Sequence, residues 1–559
     1  MGRLLGHAIA AQQWLHHRAF EAATRDPEEA QARVLRTLLR DNADTVFGRE
    51  HGFATIGSAA EYAQRVPIRD YEALRPYVGR ITAGEPRVLT AEPPFMFTTT
   101  SGTTGEPKFI PVTAAWAHGM ASLMRLWTFY ALRDHPGMLG HRVLTIVGPA
   151  TEGVTTGGLP YGAMTGLTYQ RLPWLIRRQH ALPYAAALIR DHETRYFVAL
   201  RMALERSISS IGTPNPSTLL RLADIAARRG DEVIRAIHDG TLGVTKVEPM
   251  LGTGVTGLEI RAALAARLRP NRQRAALLAG VAGRRNRLVL GDCWPELSLV
   301  ACWLGGSAGI QARHLEAHFG PQIARRDLGL VASEGRFTIP VEDDSAAGVL
   351  AVHSNFYEFV AEQDIDDPAP RRLLCHELAE GRRYYLIVTG ANGLYRYDLN
   401  DVVEVRGFHE RTQGGLRPQG PGHAEHHRRE AAPEPRPARG AGRRAHHGAR
   451  RLAVPPDPGR RGSALRPPGR AALLRRGREH ACGFRGGVRS RSRRSQYRVR
   501  VQACFRTTGA AAALRHAPGL VRAALPGGVR ARPARDSAQV ERHASGVGRH
   551  EPGRGPSAP

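Results

Sequence analysis

Eight consecutive residues, Thr98-Thr99-Thr100-Ser101-Gly102-Thr103-Thr104-Gly105, carry six hydroxyls and two glycines, and Glu106-Pro107-Lys108 follows them. Hydroxyls and glycine N–H groups on a tight loop can surround phosphate oxygens, and a lysine just beyond can neutralise their charge. The pattern is not GxxxxGK[ST], so the P-loop nucleotidase fold is not implied. Read alone, the same text also suits a polar hairpin turn. Lys108 tilts the reading toward phosphate, because apart from Lys246 it is the only lysine in a chain that otherwise uses arginine.

The flanking text supplies elements that would hold such a loop. FMFTTTSGTTGEPKFIPV reads as strand, small-residue loop, strand, and HRVLTIVGPA as a buried strand ending in a turn. Asp26 can cap a helix that has Pro27 at its first position, Glu28 and Glu29 at the positive end of its dipole, and Val34, Leu35, Leu38 and Leu39 as an apolar face. TPNPSTLLRLADIAARRG offers Ser217 or Thr218 as cap for a helix expected to end at Gly230. PELSLVACWLGG and ARRDLGLVASEGRFTIPV look like core strands followed by loops. RRYYLIVTGANGLYRYDLNDVVEVRGF looks like paired strands joined at Ala391-Asn392-Gly393. Strands and helices alternate over some 400 residues, which implies an α/β domain.

Composition divides the chain in two. From Arg411 onward there are 33 arginines, no lysine and 8 acidic residues, a net charge of +25, whereas the residues before carry 46 basic and 43 acidic groups. The first part is therefore nearly neutral, and nothing in it argues for nucleic acid or anionic membrane as partner. The five cysteines form no CxxC pair or metal-ligand cluster, so buried thiols in a reducing compartment are expected. The N-terminal MGRLLGHAIAAQQWLHHRAF reads as an amphipathic helix rather than a signal peptide, and no window approaches the roughly 18 apolar residues that would cross a membrane. A soluble cytoplasmic protein is the expectation.

TTTSGTTGEPKFIPVT resembles the phosphate loop of the acyl-adenylate-forming enzymes, and in particular the auxin-responsive Gretchen Hagen family of acyl acid amido synthetases in its bacterial branch. NADTVFGREHGF, VPIRDYEALRPYV and GEPRVLT before the loop, and GLPYGAMTG, TPNPSTLLRL, ASEG and LYRYDLNDVVEVRGFH after it, match that family in order, from about residue 20 to His409. The resemblance implies a large adenylating domain over 1–412, with mixed sheets flanked by helices and a β-barrel portion, and then a small α+β C-terminal domain. It implies ATP and Mg²⁺, a small carboxylic acid and an amino acid as substrates, and a two-step reaction through an acyl-AMP. Ser101, Thr103, Thr104 and Lys108 would hold the β- and γ-phosphates, with Thr100, Gly102, Gly105 and Ser333 completing the nucleotide site. Glu334 would bind the metal, and Asp401 would accept hydrogen bonds from the ribose hydroxyls. The family usually has Gly-Asp where this chain has Asn400-Asp401. Phe356 and Tyr357 would give an apolar wall or pack in the core. GLPYGAMTG and Trp174-Leu175-Ile176 are candidate linings for the acyl pocket.

After Thr412 the family pattern stops. The remaining residues contain no Ile, Asn, Met, Trp or Lys, and among tyrosines only Tyr497. Those residues have AT-rich codons, so their joint loss suggests GC-rich DNA read out of frame. With permitted synonymous codons for Gln413 to Arg436, the next frame can read RVAFVRKGRDMLSITGEKLHLNHV, which resembles the family's continuation. The window from His516 permits MRPGWSERLCRAEFARG in the same relative frame. The expectation is a one-base insertion or two-base loss near codon 412, leaving 413–559 as a basic tail too poor in apolar surface to fold, in place of the C-terminal domain. Two alternatives stand beside it: adenylation ending in a thioester with coenzyme A, and a nucleic-acid-binding protein using the arginine-rich tail.

Overall fold

The computed structural model describes residues 2–100, 107–367, 369–409 and 498–504. The chain divides into a unit spanning Met1–Arg506 and a short one, Thr507–Pro559, which lies outside the described residues. Most of the expected tail lies outside them as well.

Fifteen strands form three sheets among the described residues. The first sheet, in the order β2-β1-β5-β4, contains β1 (Met96–Thr100), β2 (Lys108–Val112), β4 (Gly153–Val154) and β5 (Pro160–Gly162). The second is all parallel, in the order β3-β6-β7-β8, from Arg142–Thr145, Ile208–Gly212, Leu299–Ala301 and Ala324–Arg326. The third has seven strands in the order β12-β11-β13-β14-β15-β10-β9. These are β9 (Thr338–Ile339), β10 (Gly348–Leu350), β11 (Phe356–Ala361), β12 (Arg372–Leu373), β13 (Arg383–Thr389), β14 (Tyr397–His409) and β15 (Arg498–Cys504). It is all antiparallel. It stands where a barrel portion is expected; among the described residues its end strands β12 and β9 are not hydrogen-bonded to each other.

Helices cover the parallel sheet, as parallel strands require. The helices His192–Leu204, Pro216–Asp239 and Arg272–Arg285 pack with it into the largest core, around Phe197, Leu200, Leu222, Ile225, Leu278 and Trp294. Asp26 caps the Pro27–Asp41 helix by accepting from the Glu29 amide, and Leu35, Leu38 and Leu39 are buried, as the periodicity predicts. The helix expected to end at Gly230 breaks one residue earlier, at Arg229, whose φ of −123° is non-helical; a second helical stretch follows directly to Asp239 and ends at Gly240, and the cap of the first is Asn215, not Ser217 or Thr218, accepting from the Ser217 amide. Gly230 is explained by close packing, since a Cβ there would stand 3.1 Å from Leu288.

One segment of the expected tail is a strand. β15 pairs antiparallel with β14 from Val402↔Cys504 to His409↔Arg498, and with β10 at Gly348↔Val501, which joins β9 and β10 to the rest of the sheet. Phe356 and Tyr357 are fully packed in the core. Cys293, Cys302 and Cys375 are buried free thiols whose pKa values burial pushes up to about 12, so they pack as small apolar groups. No helix among the described residues is long and apolar enough to cross a membrane.

Candidate active site

The hydroxyl-rich segment sits between two paired strands. β1 and β2 pair from Met96↔Val112 to Thr100↔Lys108, so residues 101–107 connect the ends of a hairpin. Ser101, Gly102, Thr103, Thr104 and Gly105 lie outside the described residues, as does the Thr100 side chain. At the base of the hairpin Thr99 Oγ1 donates to Glu152 Oε2 at 3.3 Å, and β5, part of GLPYGAMTG, runs parallel beside Phe97 and Thr98.

Lys108 leaves the loop with its ammonium 5.5 Å from the centre of the Tyr71 ring. That ring is fixed by its own hydroxyl, which accepts from the Phe109 amide at 2.7 Å. A cation over an aromatic face is held without a counter-carboxylate, which leaves its charge for a ligand.

Glu334 lies at the tip of a second, tighter turn. Ala332 N donates to Gly335 O at 2.8 Å, and Val331 bridges Arg336 on either side of the Ser333-Glu334 pair. The turn is pinned from two directions: Trp116 Nε1, on the Ala114–Asp134 helix, donates to the Glu334 carbonyl at 2.9 Å, and Asn392 Nδ2 donates to it at 3.2 Å. Asn392 belongs to the Ala391-Asn392-Gly393 connection between β13 and β14, which forms as the sequence indicates. The Glu334 carboxylate has one long contact, 3.4 Å from the Tyr397 hydroxyl. Burial raises its pKa, while its own backbone and Lys108 pull the other way.

Asp401 reaches the same centre through an irregularity in β14. The ladder with β13 pairs Tyr385 with Val402 but Ile387 with Asp398, so the stretch between is bulged out of register. Bulges of this kind re-aim side chains next to functional sites. The bulge turns at Asn400, whose φ of 58° is left-handed and whose amide donates to Asp398 Oδ1 at 2.7 Å. Asparagine is the non-glycine residue best suited to that conformation, so the missing glycine leaves the turn intact. Burial, then the nearby Glu334 and Asp398 charges, push the Asp401 pKa up to about 7.

The structure thus brings Lys108, Glu334 and Asp401 into one electrostatic neighbourhood, with Ser333 on the Glu334 turn. It adds Tyr71, Trp116, Asn392, Tyr397 and Asp398, which sequence reasoning did not select. Tyr397 and Asp398 were within reach, in the same YDLND run as Asp401. Nothing local marks Tyr71 or Trp116. Trp174 and Leu175, expected at the acyl pocket, are exposed, with the Arg178 guanidinium 5.5 Å over the Trp174 ring.

No cluster of three or more His, Cys, Asp or Glu able to hold a metal occurs among the described residues. A cation at Glu334 would therefore have at most two such protein ligands among the described residues and would need other oxygens from substrate or water. That is how magnesium is usually bound, so the residues fit it.

Comparisons with known proteins point the same way. The profile of the GH3 family N-terminal domain matches residues 16–322, and that of the GH3 family central domain matches 348–413. The chain is 24% identical over 410 residues to an indole-3-acetic acid-amido synthetase, GH3.2, of Arabidopsis thaliana, covering 70% of this chain and 73% of that one. It is 26% identical over 422 residues to a jasmonoyl–L-amino acid synthetase, GH3.5, of Oryza sativa subsp. japonica, covering 70% of each. A solved GH3.15 acyl acid amido synthetase shares the fold at a TM-score of 0.58 and 22% identity, over 70% of this chain and 67% of that one. With more than half of its length matched to the family's domains, and with the hairpin, the turn and the bulge converging on one centre, the chain belongs to the GH3 family.

Proposed function

We propose that this chain is built as an ATP-dependent acyl acid amido synthetase, which activates a small carboxylic acid as its adenylate and passes the acyl group to the amine of an amino acid. The observation that carries the reading is the convergence of Lys108, Glu334 and Asp401 from three separate segments on one partly buried centre. In the first step a carboxylate oxygen attacks the α-phosphorus of ATP, and the bond to the bridging oxygen breaks as pyrophosphate leaves. In the second the amine attacks the acyl carbonyl carbon, the bond to AMP breaks, and the amine gives up a proton.

The hydroxyls and amides of Thr100 to Gly105 would hold the β- and γ-phosphates. Lys108, seated on Tyr71, would oppose the charge that grows on the leaving pyrophosphate. Magnesium, when bound, would supply positive charge that offsets the charge of the phosphates. Glu334 would be its protein ligand, with Ser333 beside it on the same turn. Asp401 would accept hydrogen bonds from the ribose hydroxyls, which favour its charged form.

The match to the family's domains ends at residue 413, and we propose that residues 413–559, read out of frame, do not supply a small closing domain, so that the chain binds nucleotide but is poor at both chemical steps. The test is a pair of chains, one as written and one with the frame restored after codon 412. Both are expected to bind Mg·ATP in a fluorescence titration, and only the second to exchange pyrophosphate into ATP at a rate typical of an intact synthetase. Full exchange by the written chain would overturn the impairment. A restored chain that neither binds nucleotide nor exchanges would overturn the synthetase reading itself.

A further inference from the structure

Two residues beyond Glu334, on the return side of the same turn, Arg336 is buried with 3% of its surface exposed. Its Nη1 donates to the Leu328 carbonyl at 2.8 Å. Its Nε has no partner among the described residues, and Nη2 meets only the thioether of Met124, at 3.9 Å. Asp327, the carboxylate whose charge acts on Arg336, is already engaged, taking the Leu304 and Gly329 amides at 2.5 Å each, and burial pushes its pKa up to about 6. Arg336 is therefore a buried cation whose Nε–Nη2 edge, covered by Met124, has no oxygen partner among the described residues.

Arg396 shows what that edge accepts. Its Nε and Nη2 hold the two oxygens of Glu358 at 2.7 and 2.9 Å, while Nη1 takes the carbonyls of Ala63 and Val66. In Arg336 the equivalent edge, Nε and Nη2, is the unfilled one. Two parallel donors spaced for a carboxylate, withheld from water, favour a ligand that brings one.

The position of the edge says which ligand. Met124 is 38% exposed and lies on the Ala114–Asp134 helix, two turns or ~12 Å beyond Trp116, whose indole holds the Glu334 carbonyl. The stretch of that helix from Trp116 to Met124 thus has the Glu334 turn at one end and the unpartnered guanidinium edge at the other. Met120, partly buried one turn before Met124, gives it an apolar side.

Resting on the synthetase reading above, we propose that Arg336 is a specificity-determining residue for the acyl acid. Its unpartnered edge binds a second carboxylate, so that the preferred substrate class is a short aliphatic dicarboxylic acid, held by one end while the other is activated.

The experiment is calorimetric titration of the full chain with succinate, glutarate and adipate against butyrate, pentanoate and hexanoate, for wild type, R336M and M124E, with melting temperature and Mg·ATP affinity measured on each. Wild type should bind one diacid at least about tenfold more tightly than its matched monoacid. R336M should lose that difference, keep its monoacid affinity and melt no lower than wild type, because an under-satisfied buried cation contributes little to stability. M124E, which places a carboxylate against that edge from within, should melt higher and also lose the diacid preference. A drop in melting temperature for R336M with the preference intact would make Arg336 a structural residue and overturn the proposal. Equal loss of both acid types would mean that it grips the reacting carboxylate, and would overturn it as well. Absence of Mg·ATP binding by wild type would instead count against the synthetase reading, since the acid preference is measured without nucleotide.

Discussion

The surroundings of Arg201, on a helix over the parallel sheet, and those of the Ala332–Gly335 turn bury charge in different ways, although Arg326 in β8 of the parallel sheet also keeps one nitrogen, Nη1, without a partner among the described residues. In the first region Arg201 is fully buried on the His192–Leu204 helix, and every nitrogen is used: Nε donates to Thr241 O at 2.6 Å, Nη1 to Glu205 at 2.6 Å and Nη2 to Ala236 O at 3.1 Å. Around the second, Arg396 is closed in the same manner, but Glu334, Asp401 and Arg336 are not. A buried polar group with all its bonds made is architecture; one held rigid with bonds left over is poised for a ligand.

The contrast breaks most visibly at Glu358. Glu358→Ala leaves Arg396 buried without its counter-charge and should cost roughly 3–5 kcal/mol of unfolding free energy in urea denaturation; a loss below about 1 kcal/mol would mean that the pair is not closed as described. Lys108→Ala should do the opposite. It should weaken Mg·ATP binding about 10- to 100-fold, as expected for one charge-assisted contact to phosphate, and leave the urea midpoint unchanged. His180 sharpens the comparison from the architectural side. It sits 2.6 Å from Thr145 Oγ1 next to the parallel sheet, and burial lowers its pKa from 6.5 to about 4. The unfolded chain takes up this proton near pH 6.5 and the folded one only near 4, so its contribution is whole above that window and is lost as pH falls through it, by roughly 3 kcal/mol. His180→Gln should flatten that slope without changing nucleotide affinity. The smallest effect is expected at Asn400: Asn400→Gly should shift stability by less than about 0.5 kcal/mol, whereas Asn400→Val should cost roughly 1–2 kcal/mol because a β-branched residue resists a φ of 58°.

What the sequence made legible was whatever local chemistry controls. The Asp26 cap, the strands on either side of the hydroxyl run and the hairpin at Ala391-Asn392-Gly393 all follow from neighbours a few residues apart. The break at Arg229–Gly230 is legible in the same way, but the second helix that follows it at once, and the packing of Gly230 against Leu288, are not, because no local pattern connects them. The site divides along the same line. Lys108, Glu334 and Asp401 stand in recognisable motifs, but the Tyr71 seat and the unpartnered edge of Arg336 are facts of burial and of missing partners, which exist only once distant segments meet. β15 is a third case: RVRVQAC alternates as a strand should, yet the composition around it outweighs its own pattern and places it in the tail.

That strand has a consequence for synthesis. The sheet is complete only when Arg498–Cys504 lies between β14 and β10, yet β14 ends at His409 and β10 at Leu350. A ribosome adding about 5–20 residues each second therefore releases the two halves several seconds before the strand that joins them. During that interval β14 and β10 both present open edges to the surrounding solution. The order in which the chain emerges, more than the stability of the finished sheet, sets how long the nascent protein is exposed to mispairing.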